Sequence, residues 1–178
     1  MTQEIRKFLN DIVASCLGLS EDRVIWRNQG APKQANPIVV LFVYSVDGQA
    51  MPDFMPIDAD GVSEMHVPTD AVLEVQMFDK KGQFPVDKLE RLVRMLETPD
   101  IVEQCAANGI AFFDSEPVQD VTALLPNSQQ YEPRAAVDLH FRYTSVMAAN
   151  VGIIDTVEVD GTAGGRELAF SVSAESNE

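Results

Sequence analysis

The longest clean alternation of apolar and polar residues runs from Arg134 to Thr144. Ala135, Val137, Leu139, Phe141 and Tyr143 form one set, and Arg134, Ala136, Asp138, His140, Arg142 and Thr144 interleave with them. A period of two turns one set towards a core and the other towards solvent, so the stretch predicts a strand with one wet face. After Ala148-Ala149-Asn150 the chain resumes as Val151–Val159, with β-branched residues that suit a pleated surface, and stops at Asp160-Gly161. Ala71–Phe78 predicts another alternating strand, with Leu73, Val75 and Met77 on one face and a turn at Asp79–Gly82. Ile38–Val46, opened by Pro37, is almost continuously apolar, which predicts a central strand covered on both faces. Val24–Trp26 and Ile110–Phe113 are short extended pieces. Glu116–Leu125 fits either a strand and turn or a short helical segment.

Three stretches carry the helical period instead. Between Thr2 and Leu17, residues Ile5, Phe8, Leu9, Ile12, Val13 and Cys16 share one stripe, Thr2 is the N-cap and Gly18 the stop. Val86–Glu97 places Val86, Leu89, Leu92, Val93 and Leu96 on one side and charged residues on the other. Thr98-Pro99 then reads as an N-cap followed by proline at the first helical position, for a short helix burying Ile101, Val102 and Cys105 and ended by Asn108-Gly109. Asp47–Pro68 resists every period, because Gly48, Pro52, Pro56, Gly61 and Pro68 interrupt it; it reads as a long loop or a protruding hairpin. Asn28–Pro37 reads as a loop and Pro126–Gln130 as a polar linker. Glu167–Ala174 can add an edge strand beyond a flexible Gly164-Gly165, suited to clasping a neighbour by strand addition, before a frayed end. Helix, strands, two helices and strands together make an α+β (mixed α/β) domain, its mainly antiparallel sheet carrying the N-terminal helix and a central helix pair. Residues 1–161 form the single domain of this reading, and 162–178 its C-terminal arm.

Composition narrows the function classes. With 46% hydrophobic residues in 178, one packed domain is accessible. No apolar run spans a membrane and no signal peptide opens the chain, which predicts a soluble protein made in a cytoplasm. Thirteen basic against 28 acidic residues give a net charge of −15, which argues against a general phosphate-binding surface. Cys16 and Cys105 fall on apolar helix faces and read as reduced core thiols. With no CxxC pair, and His66 and His140 isolated, zinc has no ligand set. Asp58-Ala-Asp60-Gly61 resembles half of a calcium loop but lacks the remaining ligands and the distal glutamate. No phosphate-loop, dinucleotide, nucleophile-elbow or zincin motif occurs. Asp138, His140 and Arg142 share the wet face of one strand and read as a polar row rather than as an acid–base pair.

Four segments recur in an order and spacing that resemble one family. They are Val24-Ile-Trp-Arg-Asn-Gln-Gly-Ala-Pro32, Gly109-Ile-Ala-Phe-Phe113 with Pro117-Val-Gln-Asp120, Glu132-Pro-Arg-Ala135, and Val151-Gly-Ile-Ile-Asp-Thr-Val-Glu-Val159. Together they resemble the tailed-phage neck or tail terminator proteins over about Val24 to Gly161. None of the four carries a chemical signature; order and spacing carry the likeness. The resemblance implies a structural virion protein of the neck, made in the bacterial host, that forms a ring, usually of six subunits. Such a ring caps the tail tube, stops its polymerisation, docks the head connector and leaves a bore for DNA. Its implied partners are further copies of itself, the tail tube protein and the connector proteins, with no membrane, cofactor or metal. An acidic bore would keep the duplex from sticking. Candidate contact residues are Trp26, an anchor by residue type; Asp53, Asp58 and Asp60 in the irregular segment; Arg134, Asp138, His140 and Arg142 on the wet strand face; and Phe170 in the arm. Pro117–Asp120 and the Glu132–Ala135 turn are further candidates, singled out by the resemblance. The alternatives are a small acidic metal-dependent hydrolase, which needs clustered carboxylates, and a baseplate or tube-initiator component of the same virion. The Gly-rich arm departs from a simple terminator.

Overall fold

The computed structural model describes residues 1–28, 35–48, 51–58, 61–125, 130–150, 156–163 and 166–173. Asp60, most of the Asn28–Pro37 loop and of the Pro126–Gln130 linker, Gly164-Gly165 and the C-terminal end lie outside them. The chain divides into two units, Met1–Ala50 with Pro68–Ser145, and Met51–Val67 with Val146–Glu178.

In the first unit, helix α1 (Gln3–Leu17) starts where the hydroxyl of Thr2 accepts the Ile5 N–H at 3.3 Å. It ends at Gly18, whose φ of 65° lets the N–H groups of Gly18 and Leu19 reach back to the carbonyls of Ser15 and Ala14. A 3-10 turn (Glu21–Arg23) leads into strand β1 (Val24–Trp26), which pairs in parallel with β2 (Ile38–Asp47). The short β3 (Asp53–Phe54) precedes β4 (Val62–Phe78), and β2 and β4 are antiparallel. Helices α2 (Pro85–Leu96) and α3 (Pro99–Ala107) both carry proline in the first turn, where its missing N–H is harmless. Thr98 departs from the expected side-chain cap: its hydroxyl donates to the Met95 carbonyl at 2.7 Å, and its own carbonyl accepts from Ile101 and Val102. There follow β5 (Ile110–Ser115), β6 (Gln119–Asp120), β7 (Ala123–Leu124), β8 (Tyr131–Glu132) and β9 (Arg134–Asn150). Glu116–Leu125 thus resolves into two short strands and a turn. The sheet order is β1-β2-β4-β9-β5, with β6 also on β9, and the pairings of β9 with β5 and β6 are antiparallel.

The helices lie on one face of this sheet. Leu9 and Val13 of α1, Leu89 and Leu92 of α2 and Cys105 of α3 belong to the same buried cluster as Val39, Leu41, Leu73, Val75, Val137 and Phe141. Every second residue of β4 from Ala71 to Met77 and of β9 from Ala135 to Tyr143 enters it, as the alternation predicts. The other face is open, which corrects the expectation for β2. Val39 and Leu41 are buried, but Val40 and Phe42 on the opposite face are only half covered, and Tyr44–Asp47 are exposed. An unbroken apolar run does not distinguish a doubly covered strand from one whose second face keeps aromatic residues under arginine.

The irregular Asp47–Pro68 stretch is not one long loop. β2 reaches Asp47, and β4 begins at Val62 and passes through Pro68. On the β2 and β3 side, Pro68 falls between Asp70, the last β4 residue paired with β2, and His66, which pairs with β3. In the second unit β3 lies antiparallel to the opening of β4, Asp53 opposite His66 and Phe54 opposite Met65. Asp58 closes the intervening turn: its N–H donates to the Val62 carbonyl and its Oδ1 accepts the Val62 N–H, both at 2.8 Å. β10 (Thr156–Ala163) and β11 (Arg166–Ser173) form an antiparallel hairpin, so the terminal strand pairs with its sequence neighbour.

Candidate functional site

On the open sheet face, register decides which side chains meet. Phe42 of β2 lies opposite Glu74 of β4, and Arg27, just beyond β1, covers both. Its guanidinium sits 4.8 Å from the Phe42 ring centre and 3.4 Å from Glu74 Oε2. Tyr44 donates its hydroxyl to Asp138 Oδ2 at 2.9 Å. Arg142 of β9 donates two parallel bonds to Asp70 of β4, at 2.6 and 2.8 Å. Those bonds hold the Asp70 carboxyl below its ordinary range and push Arg142 further up. His140 meets the edge of Phe113, and its Nε2 lies 3.9 Å from Glu116, beyond hydrogen-bond reach. In the Asp138, His140 and Arg142 row, Asp138 bonds Tyr44 and Arg142 bonds Asp70, while His140 and Arg142 both lie against the Phe113 ring, and the row forms no relay.

The Glu132-Pro-Arg-Ala135 turn is a second, more buried polar cluster. Glu132 is 6% exposed and accepts from Arg134 Nε at 3.0 Å, from Arg134 Nη2, and from Asn36 Nδ2 at 3.2 Å. Arg134 also lies 4.9 Å from the Phe78 ring centre. Beside them Asp79, 2% exposed, accepts from Lys88 Nζ at 2.6 Å and from the Lys80 N–H at 2.8 Å. Its N–H donates to the Pro133 carbonyl at 2.9 Å, and its carbonyl accepts from Asn36 at 3.0 Å. Asp79 thereby joins α2, the end of β4 and the turn before β9. Pro117–Asp120 joins the same strand from its other side: Gln119 and Asp120 pair with Ala136 and Ala135, and the Val121 N–H reaches the Arg134 carbonyl. The hydroxyl and backbone N–H of Thr122 hold the Asp120 carboxyl below its usual range. Both segments singled out by the resemblance thus have a local structural role.

The remaining candidates lie elsewhere. Trp26, half-buried in β1, has the guanidinium of Arg6 at 5.3 Å from its ring centre. Asp53 is exposed in β3, Asp58 serves its own turn, and Phe170 sits in β11 opposite Val159. Asp60 lies outside the described residues. Arg134 and Arg142, expected to meet opposite charge on a neighbouring subunit, have intrachain partners in Glu132 and Asp70. Sequence reasoning passed over Tyr44, Asp70, Asp79, Lys88 and Asn36. Cross-strand register brings them into place, and only the parity of Asp70 and Asp138 on their strands hinted at a shared face.

Among the described residues no three His, Cys, Asp or Glu side chains gather as a metal site. Burial pushes the thiols of Cys16 and Cys105 up, away from the nucleophilic thiolate. The exposed surfaces offer charge and hydrogen bonds for contact with other molecules.

Comparison with curated proteins gives no match. A family model described as phage neck terminator protein matches residues 3–166. That match runs from the first turn of α1 to the first residue of β11 and takes in every element of the first unit, so the chain belongs to the phage neck terminator proteins.

Proposed function

We propose that the chain is the subunit of a ring, of six copies by the family resemblance, that caps the head-proximal end of the tail tube. The ring stops tube polymerisation, offers its other face to the connector proteins of the head and leaves a bore through which DNA passes. Membership of a structural neck family is the observation that carries this reading. Physical features agree with it. A closed ring requires heterologous contacts, two different patches on each subunit. The chain provides patches of distinct character, a balanced polar sheet face and a strongly acidic second unit. A net charge of −15 suits a wall that DNA must slide past without being held. The reading involves no enzymatic step.

Light scattering over a concentration series, with negative-stain imaging of any large species, tests it. Rings with a hole of duplex width are the expected result. A monomer that closes into a ring only on isolated tail tubes also supports it, whereas a monomer that ignores tube ends overturns it.

A further inference from the structure

A groove in the first unit between α1 and the β1–β2 edge is lined by Arg6, Lys7, Asn10, Trp26, Arg27 and Phe42. Asp11 and Glu21 line it too, so three cations against two carboxylates leave it net positive, unusual for so acidic a chain. Two of the cations are neutralised in place. Lys7 bonds Asp11, which together with Glu21 raises the lysine's pKa, and Arg27 faces Glu74. Arg6 differs. Its guanidinium lies 5.3 Å from the Trp26 ring centre, and it has no carboxylate partner among the described residues. Nearby, Asn10 donates to the Glu21 carbonyl while its own Oδ1 is buried without a partner. An arginine over an indole, with no carboxylate on its fork among the described residues, is a ready receptor for a carboxylate beside an apolar side chain.

The second unit contains a segment of the matching chemistry. Met51, Phe54 and Ile57 expose 90%, 56% and 55% of their surface, and Asp53 is exposed between the first two. This segment lies within Gln34–Asp79, a stretch with no lysine or arginine. Asp53 has no ion pair among the described residues. Large apolar side chains exposed together at this level mark an interaction surface.

We propose that the Met51–Asp58 segment of one copy seats in the Arg6–Trp26 groove of the next, Asp53 meeting Arg6 and Phe54 meeting the Trp26 ring. The inference deepens the ring reading and rests on it. Groove and segment are different patches, so the contact is heterologous and passes from subunit to subunit, as ring closure requires. Opposite charges also set the register of such a contact and discourage groove-to-groove pairing.

Charge reversal tests it on the full chain, with light scattering for mass and circular dichroism for folding. Arg6→Glu and Asp53→Arg should each reduce the ring to the mass of a single chain with an unchanged spectrum. The double variant Arg6→Glu/Asp53→Arg should restore the ring, and so should an equimolar mixture of the two single variants, in which native Arg6–Asp53 contacts and charge-reversed ones alternate around the ring. Asp53 lies on an exposed two-residue strand, so its variant keeps the test alive if Arg6→Glu misfolds. Wild-type rings alongside single variants that assemble equally well overturn this contact and leave the ring standing. Single variants that disassemble without rescue in the double variant also overturn the pairing. A wild-type chain that stays monomeric both in solution and on tube ends overturns ring and contact together.

Discussion

Replacing Lys88 with methionine isolates the electrostatic part of the cluster behind the Glu132–Ala135 turn. Methionine keeps the unbranched stem and removes only the ammonium. Asp79, its side chain 1% exposed, then keeps the Lys80 N–H and loses its one cationic donor. Stripping the partner from a fully buried charge costs about 3–5 kcal/mol. Lys88 is itself 39% exposed, so water can replace the ammonium at one carboxylate oxygen, and the expected loss falls to about 2–3 kcal/mol. Urea unfolding followed by the fluorescence of Trp26 suits the measurement, because this sole tryptophan lies in the same unit as Asp79. At a slope of about 2 kcal/mol/M the midpoint should drop by about 1 M with the slope unchanged. Asp79→Asn and the double variant complete a cycle whose coupling should reach about 1.5–2.5 kcal/mol. A midpoint shift below about 0.25 M, or a double variant equal to the sum of its parts, would refute the claim that this pair fastens the turn.

Three further outcomes follow from the geometry. In Arg142→Ala the Asp70 carboxyl should rise towards its ordinary 3.8, read by carboxyl NMR titration. Because the folded carboxyl is depressed, its stabilisation is fully present above the ordinary carboxylate range and disappears as pH falls through the folded value, so variant and wild type should converge only in acid; an unmoved Asp70 contradicts the assigned pair. A thiol-reactive chromophore at pH 8 should find neither cysteine in the native protein and both in denaturant, since Cys16 and Cys105 are buried with raised thiols; one fast native thiol argues against that burial. Gly18→Ala should cost about 1 kcal/mol in urea midpoint, all of it backbone, because φ is 65° and an added Cβ meets nothing within 4 Å; a neutral substitution would mean the helix ends differently.

Local elements were largely legible. The two strand alternations placed Leu73, Val75 and Met77, and Val137, Leu139 and Phe141, on the core face where they lie. The Thr2 and Gly18 caps stand where their residue types require, because capping involves only neighbours a turn away. Proline punctuation misled at Pro68. Its missing N–H is harmful only opposite a partner strand, and which side of β4 is paired at that residue is a property of the sheet. The second face of β2 misled for a related reason: apolar residues there are shielded by Arg27 and the Tyr44–Asp138 bond, not by another layer.

The sequence by itself determined the helices, the core faces of the strands, the α+β class and the family, because periodicity, caps and motif order are written in residues close together or in fixed succession. Tertiary structure alone decided that Arg142 meets Asp70 across 72 residues and that Glu132 and Asp79 share Asn36. It alone placed the Arg6 guanidinium over Trp26, without a carboxylate partner among the described residues. A charge in a sequence shows its sign but not its partner. Partners are chosen by sheet register and helix docking, and these follow from the burial of the whole core.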